Sequence, residues 1–511
     1  MQVRQGLHGW RGPGRLPATG LATGEGPDPI SRVWAEPPPP PAGALDLVLD
    51  IGKTRSRLFV LGRSGAVVAQ AGQASASVDG GAYLALDTDG IAAWLAAAIV
   101  ALGPLRARLG RAVVSAHGAA VAAIAGDELA WPVPDYEFAG FDDRPADWLQ
   151  QIGAFDETHS PDLPRGLNLA TQLDWLARQG HAVTDSCLLP YPQYWAWWLC
   201  GVAASEPSSL GCHTHLWNPQ AGGYSALAQR RGWAAAFAPL RRAWDVLGPV
   251  RPALAARLGL PPGLQVHAGA HDSNACLARY LRSHPRMTLV TTGTWVVVMA
   301  PGAPQRPLDP GRDQLANVSV RQQAVPTGRF MGGRELQALC AGADPALATL
   351  ADLQAIVERG LMALPGFEPQ GGPFRGCAGQ VLDAQGAVAL ADLTPAQRGT
   401  LAALYCAQVT AWLVGSLGGL APLVVEGPFA HNPVYTAALA ALLQPAPVQV
   451  STDALEGTAR GAWMLTHWTE PGIAAPATAD VAPAPIPGLL ALHQRWLSLL
   501  PLAAAGPGTE G

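Results

Sequence analysis

Near residue 50, and again near residue 290, the chain drives a compact apolar strand into a glycine turn carrying hydroxyl side chains and returns along a second apolar strand. The first copy is Leu45-Asp-Leu-Val-Leu-Asp-Ile51, the turn Gly52-Lys53-Thr54, and Arg57-Leu-Phe-Val-Leu61. The second is a strand at 287–293, the turn Thr292-Gly293-Thr294, and a strand at 295–300. One such hairpin is common. Two, each opening a long α/β segment, divide the chain into two similar units and give each unit a turn where backbone amides can approach an anion closely.

Composition supports large cores: of 511 residues, 49% are hydrophobic and only 14% charged, so global disorder is excluded. Helical patterns are expected near 88–109, 168–180, 190–201, 272–282, 333–341, 346–360, 394–416, 432–443 and 488–502, with further strands at 66–70, 112–115, 265–269 and 422–426. Residues 1–43 combine scattered Arg, Gly and Pro with the run Pro37–Pro41, and read as a disordered leader. Residues 44–247 form the first unit. The stretch 248–264 holds Gly248, Pro249, Pro252, Gly259, Pro261, Pro262 and Gly263, and reads as a hinge. Residues 265–470 form the second unit, opened by a second meander at Gln265, and 471–511 is a Pro/Ala-rich segment ending in a helix. A cleft between the two units is the expected ligand site.

Net charge is −5, with no basic block, which argues against a nucleic-acid partner. No run of 18 uninterrupted apolar residues predicts a membrane span, and no apolar segment at the N-terminus predicts export, so a cytoplasmic protein is expected. The seven cysteines include no C-x-x-C pair, as suits a reduced chain. Lys53 is the sole lysine in the sequence.

Four motifs carry chemistry. Gly52-Lys53-Thr54 reads superficially as a nucleotide P-loop, but that loop needs a glycine five residues earlier and position 47 is Leu. What remains is Asp50 at a strand end, able to hold a hydrated Mg²⁺, beside a tight hairpin; an ordinary Asp turn is the simpler alternative. His267-Ala-Gly269-Ala-His271-Asp272 leads a strand into a helix, placing Asp272 either as a helix cap or as a general base. Val424-Val-Glu426-Gly427 ends a buried strand where a flat ring could approach, although Asn432 with Pro433 accounts equally for a helix start. Finally, His117-Gly118 and the loop Trp131-Pro-Val-Pro-Asp135-Tyr136-Glu137 join aromatic rings to carboxylates, a combination suited to a sugar. Trp195, Trp197 and Trp198 read as core.

Taken together, these segments resemble the FGGY carbohydrate kinases over about 45–470. Asp50-Ile-Gly-Lys-Thr54 is similar to the family's first phosphate motif, Thr292-Gly293-Thr294 to its second, Gly269-Ala-His271-Asp272 to the segment carrying its catalytic base, and Gly427 to Asn432 to its adenosine motif. His117-Gly118, Pro134–Glu137, His271-Asp272-Ser and Gly293-Thr-Trp295 resemble the rhamnulose/fuculose kinase-like branch. The sequence departs from the family pattern at Lys53-Thr54 and at Glu426, which replaces a glycine; a carboxylate beside adenine would bear on nucleotide choice.

The resemblance implies an α/β fold of two actin-like (ribonuclease H-like) ATPase domains with a cleft between them, the first binding sugar and the second nucleotide. It implies ATP and Mg²⁺ as cofactors and phosphoryl transfer to a hydroxyl of a ketose such as L-fuculose or L-rhamnulose, with xylulose or ribulose as the alternative. Asp272 would be the base and Asp50 would hold Mg²⁺ through water. Gly52, Lys53, Thr54, Thr292, Gly293, Thr294, Gly427 and Asn432 would bind ATP. His117, Gly118, Asp135, Tyr136, His271 and Asp272 would bind the sugar. A sugar-binding regulator without turnover and an actin-like assembly ATPase stay open, as does homodimerisation.

Overall fold

The computed structural model describes residues 44–500 except 370 and 453–456; the leader expected at 1–43 and the chain end at 501–511 lie outside the described residues. The first sheet opens with the antiparallel meander β1 (Leu45–Ile51), β2 (Arg55–Leu61) and β3 (Val67–Ala74). β4 (Leu109–Ala116) then pairs parallel to β1. On the far side of β4 lie β5 (Val246–Pro249), β6 (Gln265–His267) and β7 (Ala270–His271), with β6 and β7 parallel to β4. All seven residues of β1 are buried, and strand alternation sorts them. Leu47, Leu49 and Ile51 join a core with Tyr191, Trp195 and Leu199 of α1 (Tyr191–Cys200). Asp46, Val48 and Asp50 take the opposite face.

The second sheet repeats this order. β8 (Thr288–Thr292), β9 (Val296–Met299), β10 (Gln314–Val318) and β11 (Ala324–Phe330) make its antiparallel half, and β12 (Leu423–Glu426) and β13 (Val448–Ser451) run parallel to β8. Its outer face is covered by α3 (Pro395–Leu417). That helix is long and apolar enough to cross a membrane, yet 83% of its most apolar window is buried inside the protein, as a core helix requires.

Between the two sheets lie α2 (Asp272–Leu281) and α5 (Gly457–Thr466), in a core shared by Val48, Phe59 and Val113 of the first sheet and Leu289, Met299 and Val424 of the second. The two helices cross at backbone contact. A Cβ at Gly461 would stand 1.7 Å from the Ala275 carbonyl oxygen, so only glycine fits. Two α/β units of matching topology joined in this way are the actin-like fold.

Two features differ from expectation. Gln265–His267 does not open the second unit; it pairs with Arg111 and Ala112 of β4, completing the parallel half of the first sheet. The second sheet therefore starts at Thr288. Nor is 248–264 a free hinge: Gly248 and Pro249 are in edge strand β5, and Leu254, Ala255 and Leu258 of the following short helix enter the first core. Pro249 sits on the edge strand and Pro252 at the helix start, where a missing N–H is harmless.

Candidate active site

Three parallel strands of the first sheet end side by side. Register aligns Asp50, Ser115 and Ala270 in one row and Ile51, Ala116 and His271 in the next. Asp50, His117 and Asp272 therefore emerge together where ligands of such sheets bind. Gly269 makes this possible: its φ is +75°, and a Cβ would lie 2.0 Å from the Val114 carbonyl oxygen. The buried Gln193 amide of α1 clasps the same turn, donating to the carbonyls of Ala268 at 3.0 Å and Gly269 at 3.1 Å. Nothing in the sequence pattern marked Gln193 for this.

The Asp272 carboxyl sits deep among protein atoms, although water still reaches a third of its side chain. Burial pushes its pKa up. Its Oδ1 accepts from the Ser273 N–H at 2.5 Å and lies 3.2 Å from His271 Nε2. Burial holds His271 neutral, at about 4. The Asn274 amide lies 3.3 Å from His271 Nδ1, which makes Nδ1 the acceptor and leaves the proton on Nε2, 3.4 Å from Cys212 Sγ. Among the described residues every hydrogen bond to this carboxylate goes to Oδ1, so Oδ2 is left for an incoming hydroxyl.

His117 is likewise kept neutral by burial. Its Nδ1 donates to the Gly118 carbonyl at 2.8 Å, leaving Nε2 as an acceptor, and its ring lies 4.9 Å from Tyr191 and 6.0 Å from Tyr136. Asp50 is 4% exposed; burial pushes its carboxyl up to about 6, with Arg57 pulling it down and Asp272 adding to the rise. Both Arg57 bonds, 3.1 Å from Nε and 2.5 Å from a terminal nitrogen, fall on Oδ2. Arg57 was not singled out from the sequence, since an Arg within a strand reads as an edge charge. Two mutually repelling carboxylates, with Asp50 Oδ1 unengaged among the described residues, suit a hydrated divalent cation.

Lys53 is engaged by residues of the first unit. Its ammonium is 2.6 Å from Asp135 Oδ2 and 3.2 Å from Glu137, 3.3 Å from the Ser77 hydroxyl, and 5.5 Å from the centre of the Tyr136 ring. The sole lysine thus crosses from the first hairpin to the loop expected to hold sugar. Asp135, expected to face the sugar, is fully buried and spends its oxygens on Lys53, Ser77 and the Glu137 N–H. Burial works to raise the Asp135 pKa, but these bonds outweigh it and hold the carboxyl below its usual range. Trp131 is core, whereas Tyr136 and Glu137 retain solvent contact. In the hairpin itself, the Gly52 amide is taken by the Arg55 carbonyl at 2.9 Å, and Thr54 is exposed.

On the second unit, Thr294 is exposed, Gly293 is half-buried, and the helix Gly332–Cys340 begins against them, with the Gly333 N–H donating to the Thr294 carbonyl at 3.2 Å. A helix N-terminus beside a hydroxyl turn suits phosphate. Thr292 has another task. Its hydroxyl donates to the Glu426 carbonyl at 2.5 Å and accepts from the Phe429 N–H at 3.0 Å, which fixes the Gly427 turn to β8. Gly427 has φ +81°, and a Cβ there would be 2.0 Å from the Thr292 carbonyl oxygen. The Asn432 side-chain oxygen caps α4 (Pro433–Leu442), accepting at 3.0 Å from both Val434 and Tyr435. Glu426 does not bring a carboxylate to a ring-binding surface: it is buried against Arg279, Tyr280 and Cys276 of α2.

Residues 284–475 match the family described as "Carbohydrate kinase FGGY, C-terminal domain". The whole fold is similar to the crystal structure of a carbohydrate kinase from Novosphingobium aromaticivorans, with 34% identity and a TM-score of 0.80, covering 89% of this chain and 98% of that one. It is also similar to ligand-bound xylulose kinase from Lactobacillus acidophilus, at 14% identity and TM-score 0.72, covering 89% and 96% of the two chains. Gluconate kinase from the same organism gives 14% identity and TM-score 0.70, covering 89% and 97%. No curated protein matches the sequence.

Proposed function

The chain belongs to the FGGY carbohydrate kinase family and is an ATP-dependent sugar phosphotransferase; we propose that its acceptor is a ketose of the L-fuculose or L-rhamnulose type, phosphorylated in the cytoplasm with Asp272 as base. The observation that carries the site assignment is the Asp272 carboxylate, held at Oδ1 by Ser273 and left with Oδ2 for an acceptor. The sugar class rests on the residues around it: neutral His117 with Nε2 as acceptor, His271, and the Tyr136 ring.

Burial raises the pKa of Asp272, which makes it a better proton acceptor than a surface carboxylate. The Ser273 backbone N–H donates to Oδ1, which leaves Oδ2 for the acceptor hydroxyl. Phosphates would lie between the first hairpin at Gly52–Thr54 and the second at Gly293-Thr294, with adenosine against the Gly427 turn. Asp50, braced by Arg57, would hold a hydrated Mg²⁺, which when bound neutralises charge on the transferring phosphoryl group. Catalysis of this kind is positioning and charge neutralisation, so closing the cleft matters chiefly by excluding water from the phosphoryl group.

The test is an ADP-release assay with L-fuculose, L-rhamnulose, xylulose and ribulose, each with and without ATP. Preference for a six-carbon deoxyketose supports the reading. Preference for xylulose or ribulose moves the chain to a pentulose kinase, a reading the likeness in fold to xylulose kinases keeps in view.

A further inference from the structure

β12 ends at Glu426, one residue before the glycine of the nucleotide turn, and the Glu426 side chain reaches α2. There Cys276 Sγ donates to Oε2 at 2.9 Å, the Tyr280 hydroxyl donates to Oε1, and the Arg279 guanidinium forms an ion pair with the same oxygen. Arg279 is 1% exposed and Glu426 is 3% exposed, so the pair is wholly inside the protein. Residues 272, 276, 279 and 280 follow the spacing i, i+4, i+7, i+8, which places the base and its three Glu426 contacts along one face of a single helix. On the other side, the Thr292 hydroxyl binds both the Glu426 carbonyl and the Phe429 N–H. One residue therefore joins the second hairpin, the nucleotide turn and the helix carrying the base.

We propose that Glu426 is a positioning residue that ties the nucleotide turn to α2, so that seating ATP on one unit sets the Asp272 carboxyl on the other. Stability alone is a poor account of the cluster, since a buried ion pair is often no better than apolar packing of the same volume. What the pair supplies is geometry: a charged fork admits one arrangement, where apolar side chains would admit several. The proposal rests on the assignment of Asp272 as base, and it concerns a residue where the family pattern has glycine.

The experiment compares wild type, Glu426→Gln and the neutral pair Arg279→Met with Glu426→Leu. It measures melting temperature, ADP affinity by calorimetry without sugar, and kcat and KM for both substrates with the best sugar. Glu426→Gln leaves Arg279 buried and unpaired and should melt earlier. The neutral pair should recover most of that loss. In both, kcat should fall by ~10–100-fold, the scale at which small misplacements of reacting groups act, while ADP affinity and the sugar KM change by only about three-fold or less. Recovery of melting temperature without recovery of kcat is the supporting result, and a merely structural pair would not give it. A kcat near wild type in the folded neutral pair overturns the proposal; if Glu426→Gln does not fold, the neutral pair alone decides. Asp272→Asn, assayed alongside, separates the two levels: full activity there removes the base assignment, whereas an inactive Asp272→Asn beside a fully active neutral pair removes only the tie.

Discussion

Replacing Lys53 by Met removes the partner of a carboxylate that cannot reach water. Asp135 is fully buried, and Lys53 lies 2.6 Å from it with its own side chain 15% exposed. Removing one member of a buried pair costs ~3–5 kcal/mol. Asp135 keeps its bonds to Ser77 and the Glu137 N–H, and Lys53 was partly hydrated, so the low end of the range applies, ~3 kcal/mol, or a fall in Tm of roughly 6–12 °C. The exposed contact to Glu137 adds little. The cost should depend on pH, and the sign is fixed. In wild type the Asp135 pKa is depressed, so its contribution is present above the ordinary carboxylate range and lost as pH falls through the folded value. In Lys53→Met burial is opposed by fewer bonds and the pKa moves up, so the charged form is penalised and the penalty grows as pH rises. The gap in Tm between the two proteins should be widest at pH 7–8 and narrow toward pH 4–5. In steady-state assays the sugar KM should rise about ten-fold or more, because Tyr136 and Glu137 lose the anchor of their loop, while the ATP KM stays within about two-fold. A Tm gap independent of pH, or an ATP KM that rises while the sugar KM does not, refutes this account and returns Lys53 to the phosphates.

Asp272→Asn should lower kcat by ~10²–10⁴ while leaving ADP binding and Tm close to wild type; turnover within about ten-fold of wild type would reduce Asp272 to a structural residue. The kcat/KM profile should have an acid limb at or above pH 6, because burial pushes Asp50 up to about 6 and raises Asp272 as well, and both must be ionised to act; a rate flat down to pH 5 contradicts that requirement. Gly461→Val should destabilise the protein by more than ~4 kcal/mol, since even a Cβ would stand 1.7 Å from the Ala275 carbonyl oxygen; a folded variant with unchanged Tm would mean that α2 and α5 do not cross as described.

Most strands and helices were legible because their patterns are local. The compact apolar run Leu45–Ile51 predicts a strand, and the helical pattern at 394–416 predicts α3, which begins at Pro395 with Thr394 as its cap. α5 was missed for a physical reason. Gly457 and Gly461 lower helix propensity, and only the three-dimensional crossing with α2 explains why glycine stands there. The same limit governs the site. Asp50, His117 and Asp272 could be nominated because each stands at the end of a strand, and parallel pairing then brings those ends side by side. Lys53 and Asp135 were nominated as ligand contacts, and Glu426 as a carboxylate beside adenine, because sequence gives the backbone position of a charge but not the neighbour that neutralises it. Lys53 and Asp135 are 82 residues apart and Cys276 and Glu426 are 150 apart, so each pairing is set by the packing of separate elements. Burial decides the rest. A charge inside this fold must find a partner before it can serve a substrate, and so Lys53, Asp135 and Glu426 are paired within the protein, while Asp272, the proposed base, keeps one oxygen unengaged among the described residues.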